Sequence, residues 1–172
     1  MGGEHMGDSD KLLVFGAAYA DSGDAMADYY EIRELYGNGE IGVYDAAVMT
    51  REASGEVVVA NADSAGRGKV AGKGAVVGAV LGVVFPPSVL GLAALGAATG
   101  AAAGRVSRHL KRADLKDIGE LLQPGESGVI LVTESVSDWA AKKLLSRSMR
   151  QKRGEVEGDA EAIAAAIKQA AD

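Results

Sequence analysis

An α+β domain with an apolar helical hairpin set into it is the fold this sequence predicts, on three observations. Lys11–Tyr19 (KLLVFGAAY) and 128–133 (GVILVT) are continuous apolar runs of strand length, the mark of strands buried on both faces. Helix start and stop signals lie between and after them. Residues 74–104 then run for 31 positions without a charged side chain. A chain of 172 residues has room for one domain and an insertion, and too little for two large domains.

The elements follow in order. Residues 1–10 (MGGEHMGDSD) are polar and stand outside the fold, as a disordered or expression-derived N-terminus. Lys11–Tyr19 is strand one. Ser22 can cap a helix, and Ala25, Tyr29, Ile32 and Tyr36 recur at three- and four-residue spacing up to the stop Gly37-Asn38-Gly39. Asp24, Asp28, Glu31 and Glu34 supply its polar side. Residues 41–52 and 56–60 are rich in strand formers and, with Ala53-Ser54-Gly55 between them, predict a hairpin. A glycine-rich connection, 61–73, leads into the uncharged stretch. Beyond it Asp114 is placed to cap a helix over 115–122, with Leu115, Ile118, Leu121 and Leu122 on its apolar face and Pro124-Gly125 as its stop. Residues 128–133 are strand four. Ser137 caps a helix carrying Trp139, Ala140, Leu144 and Leu145, with Lys142, Lys143, Arg147 and Arg150 outward; a core place is expected for Trp139. A short fifth strand falls at 155–157, and a last helix after Asp159 carries Ile163 and Ile167. Without the uncharged stretch the order is βαββαβ with a helical extension. Both apolar strands ask for the middle of the sheet, as in the ferredoxin-like split βαβ arrangement. Residues 11–172 are therefore one domain, interrupted by a hairpin at 70–104.

Within the uncharged stretch Gly74, Gly78 and Gly82 form one set and Gly96, Gly100 and Gly104 another, with Pro86-Pro87 between them. Residues four apart share a helix face. Each triplet thus makes a groove free of side chains, the small-xxx-small pattern of closely packed helix pairs. A helical glycine costs about 1 kcal/mol relative to alanine, so a partner surface is needed to offset six of them. Arms 74–85 and 88–104 reach about 18 and 25 Å at about 1.5 Å per residue, short of the roughly 30 Å of bilayer hydrocarbon. Arg67, Lys69 and Lys73 precede the first arm; Arg105, Arg108, Lys111 and Arg112 follow the second. A hairpin gathers these seven cations at its open end, the pattern of a cytoplasmic membrane interface, where each contributes about 1 kcal/mol against anionic lipid. Three readings stay open: insertion of the hairpin, re-entrant or with thinning of the bilayer, at the cytoplasmic face of the inner membrane beside anionic lipid; a soluble homo-oligomer in the cytoplasm whose hairpins form a buried bundle, with a sensor or ligand-binding role; and a monomer that folds the hairpin on its own sheet.

The strand pair 45–52 (DAAVMTRE) and 57–60, the hairpin centred on Phe85-Pro86-Pro87, and 118–132 (IGELLQPGESGVILV) together resemble a bacterial family of unknown function catalogued as a predicted membrane protein. The resemblance spans residues 11–171. It implies a ferredoxin-like domain interrupted by a glycine-zipper hairpin, and no established activity. At 149–158 the chain departs from the family pattern, with Lys and Arg in place of a clearer strand, so the fifth strand is weakly marked.

The net charge of −6 divides unevenly: residues 1–63 hold 13 acidic and 3 basic side chains, residues 64–172 hold 11 and 15. Zero cysteines exclude disulfides and thiolate metal sites. The N-terminus lacks the apolar core of a secretory signal. Residues 66–71 (GRGKVA) have the outline of a dinucleotide fingerprint but no acidic residue about 20 positions on, and 68–74 (GKVAGKG) are one residue short of a phosphate loop. Asp21, Asp24 and Asp28 near the start of the first helix favour its dipole and are expected to be solvated. His109 lies among cations, a place for a headgroup contact. No nucleophile, base and metal-ligand constellation emerges, so no enzyme, cofactor or metal is expected. The basic segments 105–116 and 142–153 have few aromatic residues in an acidic chain, which argues against nucleic acid. The partners expected are further copies of the chain and anionic lipid.

Overall fold

The computed structural model describes residues 11–65, 80, 81, 84, 85, 89 and 112–157. Its elements are β1 (Lys11–Tyr19), α1 (Ser22–Gly37), β2 (Tyr44–Arg51), β3 (Val57–Ala65), α2 (Arg112–Leu121), β4 (Ser127–Thr133), α3 (Asp138–Lys143) and β5 (Arg150–Glu157). The expected last helix beyond Asp159 lies outside the described residues. The strands form one antiparallel sheet in the order β3-β2-β4-β1-β5. The two apolar runs take the inner places, and β4 is buried along its whole length at the centre. β3 lies at an edge beside β2.

Alternation along the strands divides the apolar side chains between two cores. On one face Phe15, Tyr19, Val48 and Leu131 meet Ala25, Tyr29, Ile32 and Leu35 of α1, with Ala140, Leu144 and Leu145. On the other Leu12, Val14, Met49, Ile130 and Val132 meet Ile118 and Leu122, together with Val80, Leu81, Val84 and Phe85 from the first arm of the uncharged stretch. The sheet is thus covered on both sides. A Cβ on Gly16 of β1 would stand 2.5 Å from Ile118 Cγ2, so the missing side chain is what lets α2 settle on this face.

Several boundaries differ from the sequence reading. Asp21, rather than Ser22, caps α1, its carboxylate accepting the N–H of Gly23; the stop is as expected, with Asn38 as C-cap and Gly39 at φ 76°. β3 continues to Ala65 through polar residues expected to be connection, because Asp45 and Tyr44 of β2 still have Ser64 and Ala65 as partners beyond a register shift at Val48/Met49. α2 opens at Arg112, so Asp114 lies inside it instead of capping it. α3 is only six residues long: Ser137 accepts the N–H of Ala140 as expected, but Leu144 ends the helix and Leu145 turns left-handed at φ 57°. Of its residues only Ala140 is buried, Leu144 and Leu145 beyond it completing that part of the core. Trp139 is consequently 50 % exposed rather than in the core, with the Lys143 ammonium 4.3 Å from its ring centroid. β5 is a full eight-residue strand on β1, where 155–157 alone was expected. Lys and Arg obscured it, yet charged side chains are what an edge strand carries to deter further pairing.

Candidate functional site

Val80, Leu81, Val84 and Phe85 follow one another at helical spacing, and the Phe85 N–H donates to the Leu81 carbonyl at 2.9 Å. Their exposures are 1, 0, 8 and 4 %. Fully burying an aliphatic or aromatic side chain contributes about 1.5–3 kcal/mol, so the four together make a substantial part of this core. The arm crosses α2 at Gly119, where a Cβ would meet the Val84 carbonyl oxygen at 2.6 Å and Val84 Cγ1 at 3.1 Å. Further on, the Val57 N–H at the start of β3 donates to the Val89 carbonyl at 2.7 Å. Sheet and α2 thus hold the first arm, and the edge strand holds the chain at Val89, just past Pro86-Pro87.

Three carboxylates gather basic or tyrosine partners, two of them, Asp28 and Asp63, on the α1 side of the sheet. Asp28, 1 % exposed, accepts the Tyr19 hydroxyl at 2.9 Å, the Arg147 backbone N–H at 3.0 Å and the Arg147 guanidinium, which also donates to Glu31 at 3.1 Å. The carboxylate expected in solvent is therefore the most enclosed of the three at the head of α1. Asp63 on β3 accepts from Arg33 Nε (3.1 Å) and Nη2 (2.7 Å) and from the Tyr44 hydroxyl (2.9 Å), joining α1 to the sheet edge. Arg150, expected to point outward, donates to Glu126 and to the Leu121 carbonyl at 3.0 Å. Burial would raise the Glu126 carboxyl, but Arg150 and the Gln123 N–H outweigh it and hold it below its ordinary value.

Burial, and next the bond to Asp63, push the Tyr44 hydroxyl up to about 12. Burial also raises Tyr19 and Tyr29, with Asp28 adding to the effect at Tyr19. A raised tyrosine contributes stability that is complete below its ordinary value of 10.0 and is lost as pH rises through the folded value. The melting temperature is therefore expected to fall between about pH 10 and 12. Tyr44→Phe, compared by thermal unfolding across that window, should fall less steeply; equal slopes would remove Tyr44 from the cause.

Among the described residues no three His, Cys, Asp or Glu side chains converge to hold a metal ion, and no helix is long and apolar enough to cross a membrane. Gly74, Gly78, Gly82, Gly96, Gly100 and Gly104, the cations Arg67, Lys69, Lys73, Arg105, Arg108 and Lys111, His109 and the two glycine-rich phosphate-loop candidates lie outside the described residues. Arg112 opens α2. Asp45 is buried opposite Val132 within the sheet, and Glu134 is exposed just past β4.

A family model described as a protein of unknown function (DUF1269) matches residues 71–157. The chain belongs to that family. The DUF1269 match takes in the uncharged stretch, α2, β4, α3 and β5, and begins after β3. Its strands β4 and β5 nevertheless pair with β1 and β2 from outside the match, so the DUF1269 segment and the preceding residues make one sheet. No curated protein and no solved structure matches the chain. Sequence reading missed Gly119, Gly16, and the Asp28 and Asp63 clusters. For Gly119 a signal exists in the helical periodicity, which sets it beside Ile118 and Leu122; for Asp28 the signal is its place between Ala25 and Ile32 on the apolar side of α1.

Proposed function

We propose that the chain is a non-enzymatic self-assembling protein, whose domain holds the first arm of a glycine-zipper hairpin and whose hairpin packs against that of a second copy in the cytoplasm. The observation that carries the reading is the burial of Val80, Leu81, Val84 and Phe85 in one core with Leu12, Met49 and Ile130. Those side chains are used within a single copy. On the helical repeat Gly78 falls beside Leu81 and Phe85 and Gly82 at the border of that side, away from Val80 and Val84, and their cost of about 1 kcal/mol each asks for close packing by another backbone. Withdrawing the arm into a bilayer would uncover the sheet face it covers, which argues against insertion. Light scattering on the full chain should give a mass above the 17.5 kDa of one copy, and the double substitution Gly78→Leu with Gly100→Leu should lower it. An unchanged mass in the double variant would remove the zipper from the explanation.

The seven cations flanking 74–104 favour a second reading, peripheral association with anionic lipid at the cytoplasmic face of the inner membrane. That reading expects flotation with anionic but not neutral vesicles, lost on adding salt. Flotation that survives high salt would mean insertion and would contradict a clamped arm.

We also read the sheet as a ferredoxin-like unit. β1-α1-β2 straddles β4, β4-α3-β5 straddles β1, and both helices share one face, which supports a split βαβ plan. On this reading residues 57–121 are a single insertion between the second and third strands of the unit, in which β3 extends the sheet edge while α2 and Val80, Leu81, Val84 and Phe85 cover its other face.

A further inference from the structure

We propose that the helical layer, on the face of the sheet opposite the arm, is a second self-docking surface, on which α1 of one copy meets α3 of another. It does not rest on the hairpin reading. α1 and α3 cover the same sheet face, and Arg147 in the turn that follows α3 ties it to Asp28 and Glu31 of α1. Each carries an aromatic residue on its outer side: Tyr30 is 55 % and Trp139 50 % exposed, and these are the largest exposed apolar side chains of the layer. Exposed aromatic rings of this kind are enriched at the centres of protein interfaces.

Charge selects the occupant. α1 presents Asp24 and Glu34 to solvent, whereas α3 presents Lys142 and Lys143 with Asp138 as its one acidic residue. The basic residues Arg33 and Arg147 on this side are already engaged, with Asp63 and with Asp28 and Glu31. An acidic helix and a basic helix side by side make a self-complementary surface: a two-fold axis running between them sets each α1 against the partner copy's α3, an isologous contact. An anionic membrane is a poor occupant, because it would meet the carboxylates of α1 beside the lysines. Charge complementarity of this kind sets register and discriminates among partners.

The test uses two full-length variants changed only at exposed positions, K142E/K143E and D24K/E34K. Each alone opposes like charges across both contacts, while one of each restores opposite charges at both. Native mass spectrometry on an equal mixture is expected to show mixed pairs at least tenfold above like pairs, and each variant alone should associate more weakly than the unaltered chain. Because selectivity is read, association through the hairpins cannot mimic it. Mixed and like pairs in random proportion would overturn the proposal. Trp139→Ala in the unaltered background should also weaken pairing, and unchanged pairing would count against the aromatic contact.

Discussion

Asp28→Ala is expected to lower the stability of the domain by about 3 kcal/mol and its melting temperature by roughly 6–12 °C. The substitution removes an acceptor that serves three donors and leaves the Tyr19 hydroxyl, at 0 % exposure, without its partner. A buried donor left unsatisfied costs about 1–3 kcal/mol by itself. The Arg147 side chain is 46 % exposed and can turn to water or to Glu31, which keeps the total below that of a fully enclosed pair. Asp28→Asn retains an acceptor and is expected to cost about 1 kcal/mol. Equilibrium unfolding of both variants checks the order; equal, small effects would show that the pair contributes little beyond its shape.

Gly119→Leu is expected to cost about 3 kcal/mol, at the upper end for overpacking. Its Cβ would lie 2.6 Å from a backbone carbonyl, that of Val84, which cannot swing aside as a side-chain tip can. The arm or α2 must move, and either movement opens the core that Val80, Leu81 and Phe85 share with Ile130 and Val132. Gly37→Ala is the control, since a Cβ there meets nothing within 4 Å. Thermal unfolding should separate the two clearly. If Gly119→Leu melts with the unaltered chain, the approach of arm and helix is looser than this contact requires.

The parts of the fold that were legible are those where one local signal decides. The apolar runs of β1 and β4 named the inner strands, and Gly37-Asn38-Gly39 and Ser137 named a helix end and a helix start. The parts that were not legible depend on what lies across the sheet. β5 reads as a solvated basic run until Phe15, Gly16 and Ala17 are seen to be paired with Arg153, Lys152 and Gln151. The tail of β3 reads as connection until Asp63 is found under Arg33 and Tyr44, 30 and 19 residues away. Asp28 looks like a dipole partner because its counter-ion, Arg147, is 119 residues distant. Trp139 looks like core because the pattern cannot show that its helix stops at Lys143. For the first arm the glycine spacing drew attention away from the residues that anchor it, the ordinary apolar ones Val80, Leu81, Val84 and Phe85.

The most direct test of the clamped arm is amide hydrogen exchange on the full chain, diluted until light scattering gives a single copy. The Phe85 amide, which donates to Leu81 inside the core, should then be protected to the same degree as Val129 to Val132 of β4. Protection at β4 together with rapid exchange at Phe85 would contradict it, and would return the hairpin to a role that only a second copy or a membrane could complete.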